Sequence, residues 1–402
     1  MLTVDNVAPG WEPVREAFVS NLESGLDRGA GVAVMHRGKL VVDLMGGHRD
    51  KHGDVPYGPD ALQVVFSTTK GITALAVAMC VERGLIDYDA TVATYWPEFA
   101  AHGKQDITVA QLLSHRGGLY TVDGPMTLPE ALDWDTVTSR LADTTPMFEP
   151  GSTHGYHALT YGWLGGELVR RVTGQSLGDF VQENIVAPLG VELWIGLPAE
   201  QEHRVAHLMA HPIPSFPPEI AKFMLEHGGP GSLGEKALSL NGAFGPGAFN
   251  KPEVHAAQIP GANAITNARS LATIYAATFG EVNGVRLLKE ETRRLATASV
   301  TPDGEIDAIL GHPTVFAKGY MLNSTRNNYG GPDGYGHDGA GGGGAAGRRS
   351  AERQPPALGQ LQRRAHQCQA GQGHQRAHQR TDQHLQARVA QVLLERLGRG
   401  FT

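Results

Sequence analysis

The feature that most constrains the fold is a stretch that would be apolar on nearly every side of a helix. Residues 72–81 read Ile-Thr-Ala-Leu-Ala-Val-Ala-Met-Cys-Val, with a single hydroxyl among them. A helix that is apolar all round is stable only when other elements cover it from every direction. Gly84 follows as a stop signal, because glycine is the common residue just past a helix end. We therefore predict a buried core helix around which the rest of the chain packs.

Two reactive side chains stand at the beginning of this helix. Ser67 and Lys70 are three residues apart, so they share one helical face at the positive end of the helix dipole. Ser67 is the only serine in the chain with a lysine three residues later. A serine needs a nearby base to act as a nucleophile, and a lysine can be that base when burial lowers its pKa. The pair is a candidate for nucleophilic catalysis by Ser67, although Ser-x-x-Lys alone is also compatible with an ordinary solvated helix start.

The order of strand-like and helix-like segments predicts the fold class. Residues 31–36 and 39–45 are apolar runs around Arg37-Gly38, which is a β-hairpin signal. Helical patterns then dominate to about residue 191, and strand-like segments return at 314–321 and 335–337. This order predicts an α+β fold, with an antiparallel sheet drawn from both chain ends, flanked by helices, and an inserted helical lobe.

The lobes can be assigned approximate bounds. The sheet lobe would span about 12–66 and 262–343, and the helical lobe about 71–261. Within the helical lobe, residues 212–262 are rich in Pro and Gly. A long loop of that kind is usually functional or mobile, and we expect it to roof the site.

The composition changes abruptly at about residue 343. Residues 1–343 would form one folded domain, whereas 344–402 are dominated by Gln, Arg, His, Ala and Gly. Such a stretch cannot bury an apolar core, so disorder is the expectation for it. The sudden loss of apolar alternation is also typical of translation in a shifted reading frame, which resequencing of the gene would test.

Bulk properties limit the function classes. The chain has 402 residues, 41% hydrophobic residues and a net charge of −7, which argues against a nucleic-acid-binding surface. Two cysteines, Cys80 and Cys368, cannot form a disulfide framework. No secretory signal is apparent and no apolar run is long enough to span a membrane. These features predict a cytoplasmic protein with reduced thiols and no membrane span.

Several motifs together resemble one superfamily. Ser67-Thr68-Thr69-Lys70 resembles the Ser-x-x-Lys motif of serine β-lactamases and penicillin-binding proteins. Residues 112–119, Leu-Leu-Ser-His-Arg-Gly-Gly-Leu, are similar to Leu-Leu-Ser-His-Thr-Ser-Gly-Leu in class C β-lactamases and the family VIII-type carboxylesterases related to them. Phe148-Glu149-Pro150-Gly151 is similar to the turn before that branch's tyrosine motif. Tyr156-His157-Ala158 falls where the branch has Tyr-x-Asn, and His337-Asp338-Gly339 where it has Lys-Thr-Gly or His-x-Gly.

The resemblance implies a serine hydrolase that works through an acyl-enzyme. Ser67 would be the nucleophile, Lys70 would lower the pKa of its neighbours and relay the proton, and Tyr156 would be the general base and later the acid. The oxyanion hole would consist of the backbone amides of Ser67 and Ala340. The resemblance implies no metal and no organic cofactor.

The same motifs imply roles for three further residues. His337 and Gly339 would bind substrate, with His337 on the opposite wall of the site and contacting a polar group. His337 could equally be a turn residue beside glycines. His115 is expected to be structural, since a histidine at a helix end more often satisfies backbone groups than binds substrate.

One departure from the branch narrows the expected substrate. Ala158 replaces the asparagine that would hold the amide of a β-lactam or peptide, and losing such a hydrogen bond costs about 1–3 kcal/mol. The expected substrate is therefore a small carboxylic ester. Two alternatives stay open: a β-lactamase or D-amino-acid peptidase on the same scaffold, and a catalytically inactive fold that binds a ligand or partner. An α/β-hydrolase lipase is disfavoured because the chain has no Gly-x-Ser-x-Gly elbow.

Overall fold

A computed structural model of the chain describes residues 1–25, 27–209, 218–324, 327–331, 333–340, 344–347 and 357–361. The strands are β1 (Leu2–Val7), β2 (Gly29–His36), β3 (Lys39–Gly47), β4 (Gln63–Val64), β5 (Leu193–Trp194), β6 (Ile265–Thr266), β7 (Met321–Leu322), β8 (Tyr335–Asp338), β9 (Gly344–Gly347) and β10 (Ala357–Leu361). The α-helices are α1 (Glu12–Glu23), α2 (Thr69–Glu82), α3 (Val92–Tyr95), α4 (Val109–Leu113), α5 (Leu128–Leu132), α6 (Trp134–Asp143), α7 (Thr160–Thr173), α8 (Leu177–Val181), α9 (Ala187–Leu189), α10 (Pro218–Gly228), α11 (Leu233–Ser239), α12 (Pro252–Ala256), α13 (Ala268–Phe279) and α14 (Glu290–Ala296).

Strands from both chain ends form one large antiparallel sheet. Its order is β1-β3-β2-β10-β9-β8-β7, so strands within residues 2–47 pair with strands within residues 321–361. A second, small sheet has the order β4-β6-β5. Helix α13 packs against β2, β9 and β10. The α+β class predicted from the segment order is confirmed.

The β2–β3 hairpin follows directly from its turn residues. Arg37 and Gly38 both adopt positive φ angles, 51° and 72°, as a two-residue hairpin turn of the primed type requires. The pairing register runs from Gly29 opposite Gly47 to His36 opposite Lys39. The hairpin predicted at this position is confirmed, and β1 adds to its outer strand although sequence reasoning did not predict β1.

The predicted strand at 314–321 is wrong except at its last residue. Phe316 forms a single bridge opposite Met321, because the chain between them turns back on itself. The amide of Ala317 donates to the carbonyl of Tyr320 across this turn, and Gly319 takes a φ of 99° that favours glycine. Strand β8, in contrast, includes the predicted residues 335–337.

The stretch after residue 343 is not structureless throughout. β9 pairs with β8, and β10 pairs with β9 and β2, so these two segments complete the middle of the large sheet. The prediction of disorder fails for them because sheet pairing needs backbone donors and acceptors rather than apolar side chains. Gly344–Gly347 consists of Gly and Ala alone. Residues 348–356 and 362–402 lie outside the described residues, and the reading-frame hypothesis stays a prediction.

Helix α2 is the buried centre that the sequence predicts. Every residue from Thr69 to Cys80 is buried, and the helix packs against α7, α8 and α14. Gly84, two residues past its end, adopts a φ of 70°. None of the described helices combines the length and apolar character needed to cross a bilayer.

The Pro- and Gly-rich segment carries more structure than the predicted loop. Helices α10, α11 and α12 all lie within residues 212–262, of which residues 212–217 are outside the described part of the chain. Ala237 of α11 belongs to the same buried apolar cluster as Tyr156 and Ala158. This segment therefore packs against the part of the fold that carries Tyr156.

Candidate active site

Ser67 lies in a tight turn between β4 and the core helix. A short 3₁₀ segment, Phe66–Thr68, leads directly into α2. Phe66 has a φ of 44°, a left-handed conformation that is strained for an aromatic residue. Its ring packs at 5.0 Å from the ring of Phe249, which helps to hold this backbone. The turn leaves Ser67 half-buried at the start of the helix, as its motif predicts.

Lys70 is completely buried and its contacts suit a base. Its Nζ lies 3.0 Å from Ser67 Oγ and donates to the carbonyls of Ala158 and Gly261, each at 2.7 Å. Burial holds the pKa of this amine well below its ordinary 10.5. A neutral amine has two N–H donors and one lone pair. If the amine has lost a proton, the two carbonyls take both of its donors, and its lone pair is then free to accept the proton of Ser67.

Tyr156 comes from the segment before α7 and meets both of these groups. Lys70 Nζ lies 4.8 Å from the centre of the Tyr156 ring. Burial raises the pKa of the Tyr156 phenol above its ordinary 10, although a hydrogen bond with the Ser67 side chain works in the opposite direction. The phenol therefore keeps its proton near neutral pH. These pKa directions favour Lys70 as the base, which differs from the roles that the resemblance implies.

The Tyr156 segment is tied to the residues that follow α4. The amide of His157 donates to His115 Nδ1 at 3.0 Å, and the amide of Leu119 donates to His157 Nε2 at 2.9 Å. The amide of Gly155 donates to the carbonyl of His115 at 3.0 Å. The predicted structural role of His115 is confirmed, since its ring nitrogen and carbonyl both serve backbone groups.

His337 of β8 is buried beside the predicted catalytic residues. Its Nδ1 donates to the carbonyl of Asp338 at 2.8 Å, and burial lowers its pKa to about 3, so the ring is neutral. Its Nε2 is then an acceptor, and this buried atom has no hydrogen-bond partner among the described residues. The His337 and Tyr156 ring centres are 6.1 Å apart. A substrate donor could satisfy Nε2, so substrate binding by His337 stays a prediction.

The other predicted oxyanion donor follows the same strand. β8 contacts the Phe66–Thr68 turn, and Ala340 lies two residues beyond the end of β8. Gly339 is buried, whereas Ala340 is exposed. This placement brings the end of β8 to the nucleophile. The roles of Gly339 in substrate binding and of the Ser67 and Ala340 amides in the oxyanion hole stay predictions.

The described residues hold no group of three or more His, Cys, Asp or Glu side chains placed to bind a metal ion. The groups that meet at Ser67 are an amine, a phenol and, nearby, a neutral imidazole. Such groups can move protons and position a polar substrate, as acyl transfer requires.

Sequence reasoning missed two parts of this site. The carbonyl of Gly261 holds Lys70, and backbone acceptors carry no signature in side-chain sequence. Asp307 accepts the amide of Tyr156 at 3.1 Å from an irregular segment that matches no motif. Only the burial of this carboxylate distinguishes it, and the sequence gives no measure of burial for an isolated aspartate in a loop.

A close backbone approach beside Lys70 yields a prediction. A Cβ at Gly162 of α7 would lie 2.0 Å from the Gly261 amide nitrogen and 2.4 Å from the Pro260 carbonyl carbon. Gly162→Ala must therefore push α7 and the 260–261 segment apart, and we expect it to lower the free energy of unfolding by about 1–3 kcal/mol. Gly261 would move with its carbonyl, so hydrolysis should fall too.

Urea unfolding and ester turnover would check this prediction. Gly228→Ala is the matched control, because a Cβ there meets nothing within 4 Å. Unchanged stability in Gly162→Ala would contradict the close packing.

Comparisons with known proteins identify the family and the relatives of this chain. The family model described as Beta-lactamase matches residues 18–354. The chain is 36% identical over 292 residues to "Esterase/beta-lactamase LipL" of Mycobacterium tuberculosis, a match that spans 70% of this chain and 66% of that protein.

Two solved structures are similar over most of their length. A family VIII carboxylesterase has 34% identity and a TM-score of 0.77, with 89% of this chain and 92% of that one covered. EstA from Arthrobacter nitroguajacolicus Rue61a has 34% identity and a TM-score of 0.78, with 97% and 98% covered. The predicted class, a serine hydrolase related to esterases and β-lactamases, is confirmed. The chain therefore belongs to the β-lactamase family.

Proposed function

We propose that the protein hydrolyses small carboxylic esters through an acyl-enzyme on Ser67. The observation that carries this is the contact set of the buried Lys70, whose Nζ lies 3.0 Å from Ser67 Oγ and is otherwise held by the carbonyls of Ala158 and Gly261. Relatives and similar structures named as esterases support the choice of substrate class.

Each step follows from a group near Ser67. Lys70 takes the Ser67 proton as Oγ attacks the ester carbonyl, and the amides of Ser67 and Ala340 stabilise the oxyanion. Tyr156 donates its phenolic proton to the departing alcohol and recovers one from Lys70. In the second half a water loses a proton to the same groups and attacks the acyl carbonyl, which releases the acid and restores Ser67.

The preference for an ester over an amide rests on Ala158. Its carbonyl accepts from Lys70, but its methyl group packs in an apolar cluster that includes Tyr120 and Ile309. A methyl offers no hydrogen bond to a lactam or peptide amide. The missing contact, about 1–3 kcal/mol, corresponds to roughly a 5- to 150-fold loss for such substrates.

Turnover of a short p-nitrophenyl ester and of nitrocefin would test this proposal. We expect the ester to be hydrolysed clearly faster than nitrocefin. Ala158→Asn should improve nitrocefin turnover and so reduce the ratio of the ester rate to the nitrocefin rate. Faster turnover of nitrocefin by the unaltered protein would favour the β-lactamase alternative, and D-Ala-D-Ala substrates would test for a peptidase. Failure to react with a fluorophosphonate probe would indicate an inactive binding protein.

A further inference from the structure

A buried carboxylate outside the proposed catalytic set holds the segment of Tyr156. Asp307 has no exposed surface. Its Oδ1 accepts the amides of Ile309 and Leu310, each at 2.9 Å, and the amide of Tyr156 at 3.1 Å. The first two bonds shape the local turn. The third joins residues 151 positions apart, and a local turn does not require it.

We propose that Asp307 is a positioning residue, which sets the Tyr156 phenol against Ser67 and Lys70 by fixing the Tyr156 backbone amide. This inference rests on the proposed function, in which Tyr156 protonates the departing alcohol. Among the described residues Asp307 makes no hydrogen bond to Ser67 or Lys70, so it would act through Tyr156 alone.

The same part of the chain also holds the Tyr156 ring. The Phe316 ring stacks on it, with centres 6.0 Å apart and an interplanar angle of 17°. The amide of Ala308 donates to the carbonyl of His154 at 2.9 Å, two residues before Tyr156. Backbone and ring are therefore both held by residues 307–316, which leaves the phenol little freedom to move relative to Ser67.

Asp307 is itself fixed by polar partners. Thr314 Oγ1 donates to Asp307 Oδ2 at 3.1 Å, and His154 Nε2 lies 3.7 Å from the same oxygen. His154 Nδ1 contacts Glu305, and the carboxylate of Glu305 also accepts a hydrogen bond from Arg116 Nη1 at 2.7 Å. Hydrogen bonds to both oxygens offset the cost of burying this carboxylate. Its negative charge also helps to keep the nearby phenol protonated.

A double-mutant cycle separates positioning from general support of the fold. Asp307→Ala should lower kcat for a p-nitrophenyl ester by about 10- to 100-fold with little change in KM, because small displacements of a catalytic group cost that much. Asp307→Asn keeps an oxygen at the Oδ1 position and should stay within about fivefold of the unaltered protein. In a Tyr156→Phe background, Asp307→Ala should lower kcat almost no further, because both changes remove the same function, that of the Tyr156 phenol.

If Asp307→Ala lowers kcat by the same factor with Tyr156 and with Phe at position 156, the inference is overturned while the proposed function stays intact. Unchanged kcat in Tyr156→Phe alone would instead remove the proposed role of Tyr156, and the positioning role with it. Thermal unfolding would establish that each variant is folded. If Asp307→Ala does not fold, Thr314→Val can replace it in the same double-mutant cycle, because it removes one hydrogen-bond donor from Asp307 Oδ2. We expect Thr314→Val to lower kcat by a smaller factor, and only when Tyr156 is present.

Discussion

Ser67→Ala should abolish covalent labelling by a fluorophosphonate and lower kcat/KM for a p-nitrophenyl ester by about 10⁴-fold or more, as for other serine nucleophiles. The expected loss is large because no other described group can form the acyl-enzyme in the proposed mechanism. Intact-mass measurement after incubation with the probe would show one adduct on the unaltered protein and none on the variant.

The control for this experiment is Ser20→Ala, an exposed position on α1. This variant should label and turn over like the unaltered protein, because alanine is a good helix former. A single adduct that persists in Ser67→Ala, mapped to another residue, would remove Ser67 from the mechanism.

Lys70→Met has the second largest expected effect. It removes the amine but keeps an unbranched apolar chain in the buried space, and we expect kcat/KM to fall by about 10³-fold because the proton of Ser67 loses its acceptor. In the unaltered protein the rate should rise with pH as Lys70 loses its proton, with a midpoint well below 10.5. The variant should lack that rise.

The same lysine also affects stability, and the sign can be worked out. In the unfolded chain the amine keeps its proton up to its ordinary pKa of 10.5, whereas in the folded protein it loses the proton at lower pH. Between those two values the unfolded state binds more protons, so the contribution of Lys70 to the free energy of unfolding rises with pH. Urea unfolding at several pH values should therefore show that the free energy of unfolding rises more steeply with pH in the unaltered protein than in Lys70→Met.

The chain offers a matched control for this variant. Lys104 is also buried and donates to two carbonyls, those of Ala101 at 2.8 Å and Thr144 at 2.6 Å, and neither of these residues belongs to the proposed catalytic set. Lys104→Met should lower stability by leaving carbonyls unpaired and should spare ester turnover. If both variants lose activity equally, the loss in Lys70→Met reflects damage to packing rather than a missing base.

The sequence was most informative where spacing has a single geometric meaning. A serine and a lysine three residues apart at the start of an apolar helix could only lie side by side, and the structure brings Ser67 Oγ and Lys70 Nζ within 3.0 Å. Tyr156 lies far away in sequence, so only the resemblance could assign it to this site. Turn residues such as Arg37-Gly38 predicted the hairpin because their positive φ angles have few alternatives.

The failures have equally physical causes. The hydrophobic pattern of residues 314–321 does not distinguish a strand from a buried turn, because apolar side chains are buried in both. Strands β9 and β10 escaped prediction because their neighbours supply the hydrogen bonds and no alternation marks them. The proposed direction of proton transfer, from Ser67 to Lys70, was also beyond the sequence, because it depends on how completely Lys70 and Tyr156 are removed from water.

The position of β10 beside β2 has a consequence for synthesis of the protein. β2 is complete at residue 36 and pairs on one edge with β3, but β10, its partner on the other edge, begins only at residue 357. At about 5–20 residues per second, a ribosome needs roughly 15–65 s to make the intervening chain. During that time the free edge of β2 exposes unpaired backbone groups that can pair with the wrong strand. Nascent chains stalled before β10 should therefore depend on chaperones more than the released protein does.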